Sequence, residues 1–253
     1  LHNHAAGGSA LIEVHNLSFR YNSTLILDDL SFDLLENETV VVIGRSGVGK
    51  STLLRCILGL TRPEAGAILV DGVDITRITE RELNIIRRDF GMLFQSAALF
   101  NSMTVVENVA FPIRQHRNFE EQEILNISSE KLKLVGLDGC EGMMPSELSG
   151  GMKKRAGLAR ALALNPKYIF LDEPIAGLDP IIANGIDELI IGLKKHGGIS
   201  MLIVTHDLLH GFKVADKVIM IHEGRMIAMG TPAEVTQSEN EYVQQFLRGL
   251  PDR

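Results

Sequence analysis

The stretch Val40-Val41-Val42-Ile43-Gly44-Arg45-Ser46-Gly47-Val48-Gly49-Lys50-Ser51-Thr52-Leu53-Leu54 sets the frame for the rest of the chain. Four β-branched residues in a row read as a strand buried on both faces. The turn that follows ends in Gly-Lys-Ser at the start of an apolar helix. Strand, glycine-rich turn and helix is the context a phosphate-binding loop requires. The glycines let consecutive backbone N–H groups converge on one anion, and the helix N-terminus places about half a positive charge behind them. Phosphate contacts are therefore expected from Gly44, Arg45, Ser46, Gly47, Val48, Gly49, Lys50, Ser51 and Thr52. Lys50 is expected to reach the β- and γ-phosphates, and the Ser51 hydroxyl to ligate Mg²⁺.

Outward from this loop, apolar or β-branched runs predict strands at 11–19, 30–34, 40–43, 67–70, 90–94, 168–171, 201–204, 218–222 and 226–229. Helical periodicity predicts helices at 51–60, 79–88, 120–135, 150–164, 180–195 and 239–250. Strands alternating with helices mean an α/β fold around a mostly parallel sheet. The strands disappear between 95 and 164, which predicts an α-helical subdomain inserted into the core. The resulting division is 11–94 for the first part of the core, 95–164 for the helical subdomain, 165–237 for the second part and 238–253 for a C-terminal helix. The opening LHNHAAGGSA (1–10) reads as a tag or linker scar.

Composition narrows the function classes. With 253 residues, 45% apolar, 23% charged and no Trp, the chain is an ordinary globular protein and not a disordered chain, a collagen-like repeat or a coiled-coil rod. No strictly apolar run exceeds four residues, far short of the about twenty a membrane-spanning helix needs. The net charge of −7 argues against an extended nucleic-acid or anionic-lipid footprint. Cys56 and Cys140 belong to no ligand-like cluster and fit a reducing cytoplasm.

A second chemical signal follows the loop. Tyr168-Ile169-Phe170-Leu171-Asp172-Glu173-Pro174 is an apolar strand ending in two adjacent carboxylates. Alone, such a pair is usually a solvated loop. Joined to Lys50, it assigns Asp172 to Mg²⁺, held through water, and Glu173 to general base. Upstream, Leu148-Ser149-Gly150-Gly151-Met152 opens a helix with a Ser cap and two glycines, a second anion-binding N-terminus or a plain N-cap. Lys153, Lys154 and Arg155 read as a solvated helix face. His206 and His210, four apart, have a metal pair's spacing, but no third ligand follows.

The order Gly44 to Ser51, Gln95, Leu148 to Met152, Tyr168 to Glu173, Asp179 and His206 resembles the nucleotide-binding subunit of an ATP-binding cassette (ABC) ATPase, over essentially all of 11–230. The resemblance implies a P-loop NTPase (RecA-like) core with an N-terminal antiparallel β part and an inserted α-helical signature subdomain. It also implies a head-to-tail dimer in which Ser149, Gly150 and Gly151 of one subunit contact the γ-phosphate bound by the other. Gln95 matches the glutamine that touches the metal and γ-phosphate, Asp179 the loop linking the two sites, and His206 the histidine on the γ-phosphate. Tyr21 sits where the family stacks an aromatic on adenine, with Phe19 as the competing candidate and a core aromatic as the plain alternative. The usual LSGGQ signature departs here at Met152.

MLFQSAALFNSMTVVENVAFP (92–112) and LSGGMKKRAGLARAL (148–162) are similar to the ATPases of bacterial Mla-type phospholipid-transport systems, where Met after LSGG is common. That resemblance implies ATP and Mg²⁺ as ligands and a place on the cytoplasmic face of the inner membrane. Its partners would be a second copy of the chain, a permease dimer, an MCE-domain lipid carrier and, in some members, a STAS-domain subunit. It also implies a role in moving phospholipid between inner and outer membranes to maintain outer-membrane asymmetry. Residues 97–100 and 103–106 would form the groove for a permease helix, the alternative being packing inside the helical subdomain. An importer ATPase for amino acids or other small solutes shares the same motifs, and so does a soluble ABC ATPase of iron–sulfur assembly. DNA-repair members separate loop and signature by a long coiled coil or a zinc insertion, whereas Lys50 and Ser149 are 99 residues apart with neither feature.

Overall fold

The computed structural model describes residues 10–250, so the 1–10 linker expectation lies outside it except for Ala10, as do 251–253. The apolar runs form a six-stranded sheet in the order β10-β9-β3-β8-β7-β6. Its strands are β3 (Thr39–Ile43), β6 (Phe90–Leu93), β7 (Tyr168–Asp172), β8 (Ser200–Thr205), β9 (Lys217–His222) and β10 (Arg225–Gly230). All neighbouring pairs are parallel except the β9–β10 hairpin. β3 and β8 are buried at every position because both faces of this sheet are covered.

Alternation along these strands divides the core in two. Val41, Ile43, Ile169, Leu171, Met201 and Ile203 pack on the side of the helical subdomain. Val40, Val42, Tyr168, Phe170, Leu202 and Val204 pack with α1 (Lys50–Ile57) and the N-terminal sheet. That second sheet is antiparallel, in the order β2-β1-β4-β5, from β1 (Ala10–Tyr21), β2 (Thr24–Leu35), β4 (Ala65–Val70) and β5 (Val73–Asp74). β2 begins six residues before the predicted 30–34. Asp28 and Asp29 mask that first half, and Asp29 has φ 55° at an irregular point in the pairing.

α2 (Glu80–Ile86) leads into β6, and three helices follow before β7: α3 (Val105–His116), α4 (Glu121–Leu134) and α5 (Gly150–Ala161). The predicted helices do not include α3, whose span carries Pro112, a residue that removes a backbone donor from a helix interior. The helix forms around it: Thr104 and Glu107 make a reciprocal capping box. Val105, Val109, Ala110 and Ile113 then bury one face. Asn108, fully buried, accepts from the Phe100 N–H (2.7 Å) and donates to the carbonyls of Phe100, Met103 and Thr104, fixing the loop before the helix. The second part of the core carries α6 (Pro180–Gly197) and two short helices missing from the sequence reading, α7 (Leu208–Val214) and α8 (Pro232–Thr236). α9 (Glu241–Leu247) packs on its own subunit through fully buried Val243 and the Tyr242 ring stacked 3.5 Å from that of His222.

Candidate active site

Strand β3 delivers the chain to the phosphate loop at the carboxyl edge of the parallel sheet, where α/β folds place their ligands. Gly49, the N-cap of α1, has φ 105°, and a Cβ there would lie 2.7 Å from a Leu27 methyl and 2.9 Å from the Ile26 carbonyl oxygen. Only glycine satisfies both demands. Lys50, 6% exposed, folds back over the loop and donates to the carbonyls of Gly44 (2.7 Å) and Arg45 (3.0 Å). Burial lowers its pKa, against the raising charges of Glu173 and Asp172.

A cavity of about 400 Å³ opens over this loop, lined by Ile26, Ser46, Gly47, Gly49, Lys50, Ser51, Thr52, Gln95, Glu173 and His206. Residues far apart in sequence thus meet at one place. The Ser51 hydroxyl donates to Asp172 Oδ1 at 3.1 Å. Burial raises the Asp172 pKa, Ser51 counteracts this, and the neighbouring charge of Glu173 adds to it. Ser51, Asp172 and Gln95 form a small set of hard oxygen donors. This suits Mg²⁺, which takes one or two protein oxygens and completes its shell with substrate phosphates and water.

Glu173 is buried at φ 48° in the turn after β7. Its carboxylate lies 2.8 Å from His206 Nδ1 and 3.9 Å from Lys50 Nζ, and accepts from the Thr205 hydroxyl at 3.0 Å. A carboxylate held in place beside a lysine within a phosphate-sized cavity can receive a proton from a water positioned against an anion. His206 lies between β8 and α7, while His210 on α7 pairs with buried Asp187 at 2.6 Å. The two histidines therefore serve different carboxylates. Among the described residues no cluster of three or more His, Cys, Asp or Glu could hold a metal.

Several predicted residues lie elsewhere. Val48 packs against the core beneath the loop. The Arg45 side chain donates to the Leu250 carbonyl at 2.7 Å, beside the C-terminal segment. Tyr21 stands 69% exposed at the β1–β2 hairpin, outside the cavity lining, and Phe19 packs against the core. Ser149 caps α5, accepting from the Met152 N–H at 3.3 Å, and together with Gly150 is exposed away from this chain's own cavity. Gly151 has a packing reason to be glycine, since a Cβ there would meet an Ile182 methyl at 2.4 Å. Asp179 caps α6, accepting from the N–H groups of Ile181 (3.0 Å) and Ile182 (3.1 Å).

Two expectations are corrected. Lys154 and Arg155 are no solvated face. Lys154 is 5% exposed, and Arg155 donates to the Val135 carbonyl at 2.8 Å, because α5 runs through the middle of the subdomain. Of the residues expected to form a groove, Ala98 and Phe100 line a cavity of about 460 Å³ together with Phe90, Met92, Phe94, Phe111, Pro112 and Arg160. Ala97 and Val105 turn inward to the core instead. Two residues of the site are not among the sequence expectations: Ile26, which lines the cavity from the first half of β2, and Thr205, which lies behind the lining beside His206 and holds Glu173.

With this geometry in place, the sequence profile described as "ABC transporter" matches residues 27–176. The chain belongs to the ABC transporter family. The cassette is 45% identical over 242 residues to the ATP-binding protein MlaF of the intermembrane phospholipid transport system of Haemophilus influenzae, covering 96% of this chain and 92% of that protein. It is 38% identical to the Escherichia coli K12 protein of the same name, over 96% and 90%. It is also 44% identical to a Mycobacterium leprae protein, mkl, named for ribonucleotide transport, over 94% and 69%. Among solved structures, the cassette superposes with a TM-score of 0.82 on the dimeric ATP-binding cassette MJ0796 in a post-hydrolysis state with ADP and Pi. That match has 29% identity and covers 87% of this chain and 98% of the other. For cbiO1 of Clostridium perfringens, part of the cbiONQ transporter complex, the TM-score is 0.83 at 31% identity, over 94% and 95%. ATP hydrolysis is accordingly the chemistry of the cassette.

Proposed function

We propose that this chain is the ATP-hydrolysing subunit of a transporter that moves phospholipid between the inner and outer membranes, acting as a pair of cassettes beneath a permease dimer on the cytoplasmic face of the inner membrane. The observation that carries the chemistry is Glu173. Its carboxylate enters the same cavity as Lys50, Ser51, Gln95 and His206, within 3.9 Å of the lysine ammonium.

In this reading the loop N–H groups and Lys50 hold the β- and γ-phosphates. Ser51, Gln95 and, through water, Asp172 would hold Mg²⁺, which would supply neutralisation of charge on the transferring phosphoryl group. Glu173 takes the proton of the attacking water, and the His206 imidazole, hydrogen-bonded to that carboxylate, fixes its direction and faces the γ-phosphate with its other edge. Tyr21 stacks on adenine from the hairpin. Ser149 and Gly150, exposed at a helix N-terminus and outside their own cavity's lining, would meet the nucleotide of a second copy, with Gly151 behind them. Asp179, capping α6 beside them, belongs to the same contact. No described helix is long and apolar enough to cross a membrane. The groove at Phe94, Phe100 and Phe111 suits an amphipathic helix of that permease.

Phospholipid is preferred over ribonucleotide as cargo because the MlaF similarity runs the length of both chains, whereas mkl is matched over 69% of its length. The Mla-type resemblance adds an MCE-domain carrier and, in some members, a STAS-domain subunit as partners. Glu173→Gln tests the chemistry. The variant should form ATP-bound dimers with turnover abolished, and normal hydrolysis would overturn the base assignment. Copurification from membranes followed by transfer assays with labelled phospholipid and labelled ribonucleotide tests the cargo, and ribonucleotide uptake alone would sink the lipid reading.

A further inference from the structure

We propose that Lys154 is a positioning residue for hydrolysis. From the middle of the signature helix its ammonium ties the backbone of Gln95 and of Glu173 to the segment that carries Ser149 and Gly150. The inference rests on the reading in which Glu173 is the general base and the signature acts on a second copy's nucleotide.

Three observations carry it. Lys154, one and a half turns into α5, is 5% exposed. Its Nζ donates to the Gln95 carbonyl at 2.6 Å and to the Glu173 carbonyl at 2.7 Å, two acceptors from different elements. Hydrogen bonds from a charged donor in a dry setting are the strong ones, and burying that charge is costly, so an apolar filler would serve mere packing better. Second, both acceptors lie in backbone that needs holding. Glu173 has φ 48°, a left-handed conformation that a side chain disfavours. Its N–H is fixed by the Val204 carbonyl at 2.9 Å and its carbonyl by Lys154. Third, the same helix repeats the device. Arg160 donates to the carbonyls of Ala97 (2.8 Å) and Ala98 (2.7 Å), consecutive residues at φ 61° and 47° just after Gln95.

One helix thus grips, through two cations, the loop of Gln95 and the turn of Glu173. Its N-terminus, Ser149 and Gly150, is what a second copy's γ-phosphate would engage. Lys154 sits about 7 Å along the axis from that end, at 1.5 Å per residue. A shift of the helix on nucleotide closure is transmitted directly to the carbonyl of the base in this chain's own site. Filling one site thereby aligns attack in the other.

The test compares Lys154→Met, Lys154→Gln and Glu173→Gln in the transporter complex purified from membranes. Readouts are kcat, KM for ATP, affinity for a non-hydrolysable ATP analogue and melting temperature. Lys154→Met should lower kcat at least tenfold, with KM and analogue affinity within about threefold of the parent. Lys154→Gln, whose amide keeps two N–H donors without the charge, should fall between the two. If Lys154→Met does not fold, Lys154→Gln decides alone, with kcat reduced at least threefold at unchanged KM. A kcat within twofold of the parent in the folded variants, or one that falls only in step with nucleotide affinity, overturns the proposal. Continued hydrolysis by Glu173→Gln would overturn the base assignment, whereas an inactive Glu173→Gln beside a fully active Lys154→Met refutes Lys154 alone.

Discussion

Adjacent glycines of the signature should respond oppositely to the same methyl group. At Gly151 a Cβ would lie 2.4 Å from the Ile182 Cγ2. That is well over an ångström inside carbon–carbon contact, and the neighbour is a branched side chain on a packed helix. Overpacking of this kind costs about 1–3 kcal/mol, and replacing a helical glycine returns up to about 1 kcal/mol. The net for Gly151→Ala is a loss of about 1–2 kcal/mol, which for a chain of this size lowers the melting temperature by about 2–8 °C. At Gly150 the nearest atom to a Cβ is a Leu178 methyl at 3.4 Å, an ordinary contact, and the residue is exposed. Gly150→Ala should leave the melting temperature unchanged or raise it by about a degree, while lowering ATP-dependent dimerisation. Adding Ile182→Ala removes the clashing methyl. In a double-mutant cycle by calorimetry, Gly151→Ala and Ile182→Ala should show a favourable coupling of about 1 kcal/mol. Equal melting shifts for the two glycine variants, or zero coupling with Ile182, would refute the argument that helix packing fixes the second glycine.

Other consequences are measurable on the same protein. Asn108→Ala strips the hydrogen bonds that fix the loop before α3 and leaves buried backbone groups unpaired. Its expected cost is about 2 kcal/mol and about 4–8 °C in thermal melting, and an unchanged melt would contradict it. Lys50→Ala should raise the Kd for an ATP analogue at least about tenfold, from the loss of charge-assisted phosphate contacts, read by calorimetric titration. Burial pushes the Cys56 thiol up to about 12, so at pH 8 essentially none is thiolate. A thiol reagent should therefore reach Cys56 only after denaturation, and two rapidly titrating thiols in the native protein would contradict this.

How legible these features were in the sequence follows from what surrounds each residue. The buried strands are legible because runs such as 40–43, 168–171 and 201–204 pack on both faces and leave no room for polar interruption. The first half of β2 and the helix α3 were hidden by local signals that tertiary contacts override, a pair of aspartates in one case and Pro112 in the other. The Thr104–Glu107 capping box was the available clue to α3. In the site, glycines and charged pairs announced themselves by spacing, whereas Ile26 and Thr205 did not, since an apolar strand residue and a threonine acquire their place only from the fold. Lys154 was misread because three cations in a row look like a wet surface. Yet 151, 154, 158 and 161 share the helical stripe that faces the core, and all four are buried.

The backbone of Glu173 has an evolutionary consequence. At φ 48° the position suits glycine or asparagine better than any longer side chain. Selection for thermal robustness alone would therefore move residue 173 away from glutamate. In the proposed chemistry, where Glu173 is the base, a cassette that folds more securely and does not turn over lies a single substitution away. The glutamate is kept against the preference of its own main chain, so stabilising screens on this protein should be scored for hydrolysis at every round.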